Sequence, residues 1–104
     1  MAQFDVYENE DADSNKTIPF LLDVQHSLHQ DLATRLVIPM LALPPDAGQI
    51  QKLCPRFNIR GQDVIMGTPE MAGYPAGNLR NKVASLAERR AEILAAVDFL
   101  FNGF

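Results

Sequence analysis

Near the N-terminus apolar and polar positions alternate: in QFDVY, Phe4 and Val6 stand against Gln3, Asp5 and Tyr7. That period of two predicts a half-buried strand. The polar ENEDADSNK that follows reads as a loop. A second apolar run, IPFLLDVQ from Ile18 to Gln25, predicts another strand, with Pro19 near its start or on an edge. HSLHQDLAT is polar and reads as a connection. RLVIPMLAL, Arg35 to Leu43, is the most apolar stretch, and its β-branched Val37 and Ile38 predict a central buried strand as far as Pro39. Pro39 cannot donate to a ladder, so the strand is expected to bulge, bend or lie at an edge there. PPDAG at 44–48 is turn chemistry, and QIQKLCP after it holds a helical turn or a loop. RFNIRGQDVIM alternates at Phe57 and Ile59, turns at Gly61 and resumes at Val64 and Ile65, the pattern of a β-hairpin. GTPEMAGYPAGN is rich in Gly and Pro and reads as mostly irregular, with Val83 in a last short strand.

The period changes at the end of the chain. In SLAERRAEILAAVDFLF the apolar positions Leu86, Ile93, Leu94, Val97, Leu100 and Phe101 recur at spacings of three and four, an amphipathic helix. Ser85 and Glu88 form a capping-box pattern at its start, and Gly103 is the expected stop. Glu88, Arg89, Glu92 and Asp98 fall mostly off the apolar stripe. Strands followed by one helix predict an α+β fold, a small antiparallel sheet or barrel with a helix packed across it. The 104 residues fit one domain, 1–104, with no internal repeat.

Charge narrows the possible partners. Nine Lys and Arg against thirteen Asp and Glu give a net charge of −4, which argues against direct nucleic-acid binding by charge. Cys54 is the only cysteine, so no internal disulfide forms, in keeping with a reducing cytoplasm. The acidic N-terminus is unlike a signal peptide, and the apolar run LVIPMLAL is too short to cross a bilayer.

The chemistry-bearing residues do not assemble into a catalytic set. His26 and His29, with Asp23 and Asp31 nearby, lack a third strong metal ligand and read as a solvated loop. Cys54 reads as a small buried apolar residue rather than a nucleophile. The glycines at 61, 67, 73 and 77 lack the strand–loop–helix setting of a phosphate site. Arg89 and Arg90 beside Glu88 and Glu92 read as helical ion pairs worth about 0.2–0.5 kcal/mol each. No metal and no cofactor are expected. The acids Glu8, Glu10, Asp11 and Asp13 are either a solvated run or a dock for a basic, disordered peptide.

The tail FLFNGF carries three of the six Phe. Burying a Phe is worth about 1.5–3 kcal/mol, so an exposed apolar end needs a reason. Phe104 either folds back over its own helix end, or Asn102, Gly103 and Phe104 form an exposed contact point.

QFDVY, FLLDVQ at 20–25, RLVIP at 35–39, CP with Ile59 shortly after, and DFLFNGF at the end occur in the order seen in CcdB-type toxins of bacterial toxin–antitoxin modules. The chain resembles that family over nearly its whole length. The resemblance implies a homodimer, each subunit an SH3-like antiparallel sheet or partly open barrel with a second small sheet and one long C-terminal helix. It implies a poison rather than an enzyme, acting in the cytoplasm on the A subunit of DNA gyrase by trapping the cleaved-DNA complex. It further implies a CcdA-like antitoxin whose disordered segment wraps the toxin, with joint repression of their operon, DNA contact through the antitoxin, and a role in plasmid maintenance. The gyrase-binding residues it implies are Asn102, Gly103 and Phe104, anchored by Phe101. Well-known members end in Trp-Gly-Ile, so Asn102 stands where they have Trp; stacking of a target arginine between two tryptophans is lost, and a hydrogen bond from Asn102 takes its place. Two alternatives stay open: an SH3-like endoribonuclease toxin of the MazF type, and a relative that has lost gyrase poisoning and only binds antitoxin.

Overall fold

The computed structural model describes residues 2–43 and 52–103. Seven strands form β1 (Asp5–Glu8), β2 (Phe20–Asp23), β3 (Thr34–Ala42), β4 (Arg56–Ile59), β5 (Gln62–Met66), β6 (Ala72–Pro75) and β7 (Lys82–Ser85). One helix, α1 (Arg90–Asn102), ends the chain. Every pairing is antiparallel, in the order β4-β5-β3-β2-β1-β7, and β6 joins β3 beside this path. The result is a curled, half-barrel sheet with one C-terminal helix, the SH3-like α+β arrangement expected. The second small sheet is continuous with the first, because β3 belongs to both.

Register explains the core. Val6 lies opposite Leu22 and Leu22 opposite Ile38; Phe20 lies opposite Met40 and Met40 opposite Met66. A pleat places directly opposed residues on one face. These side chains, with Phe57, Ile59 and Val64 of the β4–β5 hairpin, form the main core. Ile93 and Ala96 of α1 are buried in it, with Leu94 and Val97 packed alongside. The hairpin turns through Arg60 (φ 55°) and Gly61 (φ 82°), the two positive φ values of a type I′ turn.

The other face of the sheet is also covered. Tyr7, Leu21, Val37 and Leu79 form a second cluster, with Ile18 and Tyr74 against it. Strand β1 is therefore buried on both sides, and Asp5 and Tyr7 are not its wet edge as the alternation predicts. The cause is the segment expected to be irregular: it supplies β6, whose Ala72 and Tyr74 lie opposite Val37 and Arg35.

Pro39 neither ends β3 nor lies at an edge. The strand continues to Ala42 by changing partners, pairing with β6 through Val37 and with β5 from Met40. Pro39 sits at the changeover, where its missing N–H would face the gap between the two. Its carbonyl accepts the Gly67 N–H at 2.8 Å. A Cβ on Gly67 would lie 3.0 Å from that carbonyl oxygen and 3.3 Å from Leu41 Cδ1. Gly67→Ala is therefore expected to lower stability by about 1–3 kcal/mol in urea denaturation, because a backbone atom rather than a side-chain tip must yield.

The capping box does not form. Ser85 belongs to β7, and its Oγ accepts the Ala87 N–H at 3.3 Å. The Leu86 N–H donates to the Phe4 carbonyl at 2.8 Å, which holds the chain to the sheet past Ser85. A 3-10 turn at Ala87–Arg89 makes the transition, and α1 starts at Arg90 without a side-chain cap. PPDAG and the start of QIQKLCP lie outside the described residues.

Candidate functional site

The buried positions of α1 end early. Among the described residues, Val97 is the last α1 side chain packed against the main core, and the last turn, Asp98 to Asn102, continues beyond it. Gly103 ends the helix in the left-handed region (φ 78°, ψ 8°), and its N–H donates to the Phe99 carbonyl at 2.9 Å. A residue with a Cβ is strained there, which is why glycine stops the helix cleanly.

Phe101 departs from the expected stripe. It is 68% exposed, although its spacing places it with Ile93 and Val97. Periodicity assigns a face but not how far along the helix the covering sheet extends. Asn102 and Gly103 are exposed as well. Phe104 lies outside the described residues. Three of the four candidate contact residues thus share one exposed helix end. Phe99, one turn back, is half-buried, with the Lys52 ammonium 5.4 Å from its ring centre.

Two further exposed leucines are in the segment read as a polar connection. Leu28 is 78% and Leu32 56% exposed, and the first turn of that segment is a short 3-10 helix, Ser27–His29. Leu28, Leu32 and the 38%-exposed Leu36 recur every four residues, a signal hidden by the polar residues between them. Within this segment the His26 Nδ1 accepts the Leu28 N–H at 2.9 Å.

The acidic run is an ordered loop. Asn9 is buried and its Nδ2 donates to the Ile18 carbonyl at 2.8 Å and to Ser14 Oγ at 3.0 Å. Asp11 accepts the Asp13 N–H and the Ser14 hydroxyl, and Glu8 accepts from Asn81. Beside the loop lies a groove of about 430 Å³ lined by Glu10, Asp11, Tyr74, Asn78 and Arg80. Leu21 and Tyr74 also line a neighbouring apolar groove of about 270 Å³, with Ile18, Pro39 and Leu41.

Burial pushes the half-buried Cys54 thiol up from its ordinary value, against a lowering contact from the Thr68 backbone. The thiol stays protonated near neutrality, the opposite of an activated nucleophile. Among the described residues no three His, Cys, Asp or Glu gather where a metal ion would bind. No helix among them is long and apolar enough to cross a membrane.

The family model described as CcdB protein matches residues 3–103 of the chain. No curated protein gives a match.

Proposed function

Because the chain belongs to the CcdB family, the toxins of toxin–antitoxin pairs, we propose that it binds the A subunit of DNA gyrase and holds the gyrase–cleaved-DNA complex. The observation that carries this reading is the exposed end of α1, with Phe101 68% open beside the exposed Asn102 and Gly103. An exposed aromatic on a rigid helix end loses little entropy when it docks, which is what a contact point requires. Phe101, Asn102, Gly103 and Phe104 form the contact. The protein performs no bond chemistry; it acts by binding, in the cytoplasm where gyrase works.

The reading makes residues 1–104 one toxin domain and the working unit a homodimer, which brings two helix ends to one target. A CcdA-like antitoxin neutralises it through a disordered segment. The acidic loop and its two adjoining grooves give that segment a place to lie, with Glu10 and Asp11 available to basic side chains and Leu21 and Pro39 to apolar ones. The pair represses its own operon, and DNA contact is made by the antitoxin.

The test is gyrase-mediated DNA cleavage by the purified protein, with and without Gly103 and Phe104. Cleaved complex is expected with the full chain and a loss of about 100-fold or more in potency with the truncated one, since two contact residues leave the centre of an interface. Full potency in a folded truncated protein would remove the assigned contact. Asn102 favours one second reading, a relative that binds antitoxin but not gyrase, because its amide cannot stack on a guanidinium as an indole does. That reading predicts no cleaved complex from the full chain while antitoxin binding is retained.

A further inference from the structure

The exposed end of α1 carries the dipeptide Asn102–Gly103. The other asparagines, Asn9, Asn15, Asn58, Asn78 and Asn81, precede Glu10, Lys16, Ile59, Leu79 and Lys82, so Asn102 alone is followed by glycine. A side chain on the following residue crowds the approach of its backbone nitrogen to the asparagine amide carbon, and glycine leaves that approach open. Its chain neighbours aside, no described residue comes within 4 Å of the point where a Gly103 Cβ would stand. Elsewhere the amides are engaged. Asn9 Nδ2 donates to the Ile18 carbonyl at 2.8 Å, Asn58 Nδ2 to Asp63 Oδ1 at 3.0 Å, and Asn81 Nδ2 to Glu8. Those amides must give up a bond before they can react.

We propose that Asn102 is a self-modification site, which deamidates through a cyclic imide with Gly103 and so limits the working life of the contact at the end of α1. The Gly103 nitrogen loses its proton to water and attacks the Asn102 Cγ. A Cγ–N bond forms, the Cγ–Nδ2 bond breaks, and Nδ2 takes up a proton from water and leaves as ammonia. Water then opens the imide at either carbonyl. One product is aspartate at 102. The other is isoaspartate, in which the main chain runs through the side-chain carbonyl and is one carbon longer. Solvent water is the only co-reactant, and nothing is oxidised or reduced.

The helix end is the gate. The Gly103 N–H donates to the Phe99 carbonyl at 2.9 Å, and that bond must open before the nitrogen can turn to the amide carbon. The left-handed Gly103 ends the helix, so no further helical turn covers the bond. Phe101, Asn102 and Gly103 are all exposed. Hydrogen bonds at such an end open at little cost in free energy.

The consequence rests on the reading of this end as the gyrase contact. Either product puts a carboxylate where a neutral amide stood. It lies at a helix C-terminus, where the macrodipole disfavours negative charge, and one turn from the exposed Asp98, which repels it. The last turn of α1 holds no basic residue to offset it. Isoaspartate also shifts Gly103 and Phe104 outward along the lengthened chain. A contact centred on residues 101–104 weakens on each count.

Mass spectrometry of the purified full chain, held at physiological temperature and pH, tests the chemistry. Aspartate and isoaspartate are expected to accumulate at 102 while Asn58, Asn78 and Asn81 stay intact, and isoaspartyl methyltransferase labelling separates the two products. Asn102→Gln should abolish the label, because its imide is a larger ring that closes more slowly. Deamidation of Asn102 no faster than that of Asn78 overturns the proposal. Gyrase-mediated DNA cleavage reads the effect. The aged chain and Asn102→Asp are each expected to be about ten-fold or more weaker than the fresh chain. Asn102→Gln should hold its own starting potency over the same period. A deamidated chain of undiminished potency overturns the limited lifetime. A fresh chain that forms no cleaved complex overturns the gyrase reading and the lifetime with it, while the modification is still judged by mass.

Discussion

Arg35→Met will destabilise the fold by about 3–5 kcal/mol near neutral pH, because it leaves the Asp23 carboxylate buried without its cation. Both side chains are 0% exposed, so water cannot replace the lost partner in place. The substitution keeps an unbranched stem of similar length, so the loss is of charge and hydrogen bonds more than of packing. Urea denaturation at constant slope measures it. The deficit should shrink in acid, where Asp23 takes a proton. Adding Asp23→Leu to Arg35→Met should recover most of the loss, since two apolar side chains can occupy the site of a buried pair at little net cost. A single variant within about 1 kcal/mol of the parent would mean that the pair is solvated and the site wet.

Phe57→Ala is expected to cost a further class of stability, about 3–5 kcal/mol, by opening a cavity in the main core. Phe57 is 2% exposed on β4, opposite Val64, and packs in the cluster that receives α1. Its ring also carries the Arg89 guanidinium, 4.4 Å from the ring centre, while Arg89 holds Glu92 at 2.6 Å and reaches the Arg56 carbonyl at 3.4 Å. Phe57 thus supports the start of α1, whose far end is the proposed contact. Thermal and urea unfolding should both register the loss. A change below about 1 kcal/mol would show that the hairpin and helix do not share one core.

These two positions differ in how far the sequence announces them. Phe57 is legible, since its alternation with Ile59 and the turn at Gly61 place it on the inner face of a hairpin. Arg35 is not legible: a basic residue at the start of an apolar run looks like a strand end. Only the register, which sets Asp23 opposite Val37 and Arg35 opposite Tyr74, brings Asp23 and Arg35 together on one buried face.

The candidate contact divides in the same way. The stop at Gly103 follows from local chemistry, because the left-handed region it occupies suits a residue without a Cβ. Phe101 is different. Its spacing predicts burial, yet it is exposed, and among the described residues Val97 is the last α1 side chain packed on the main core.

By itself the sequence determined the α+β order, the hairpin, the terminal helix with its glycine stop, and the family to which the chain belongs. Each of these depends on neighbours within a few residues or on a motif order that can be read along the chain. Tertiary structure alone decided the passage of β3 through Pro39, the strand β6, the burial of Asp23 with Arg35, and the exposure of Leu28 and Phe101. Each of those depends on which distant segment lies alongside, and a local pattern gives the direction of a side chain without saying what, if anything, stands across from it.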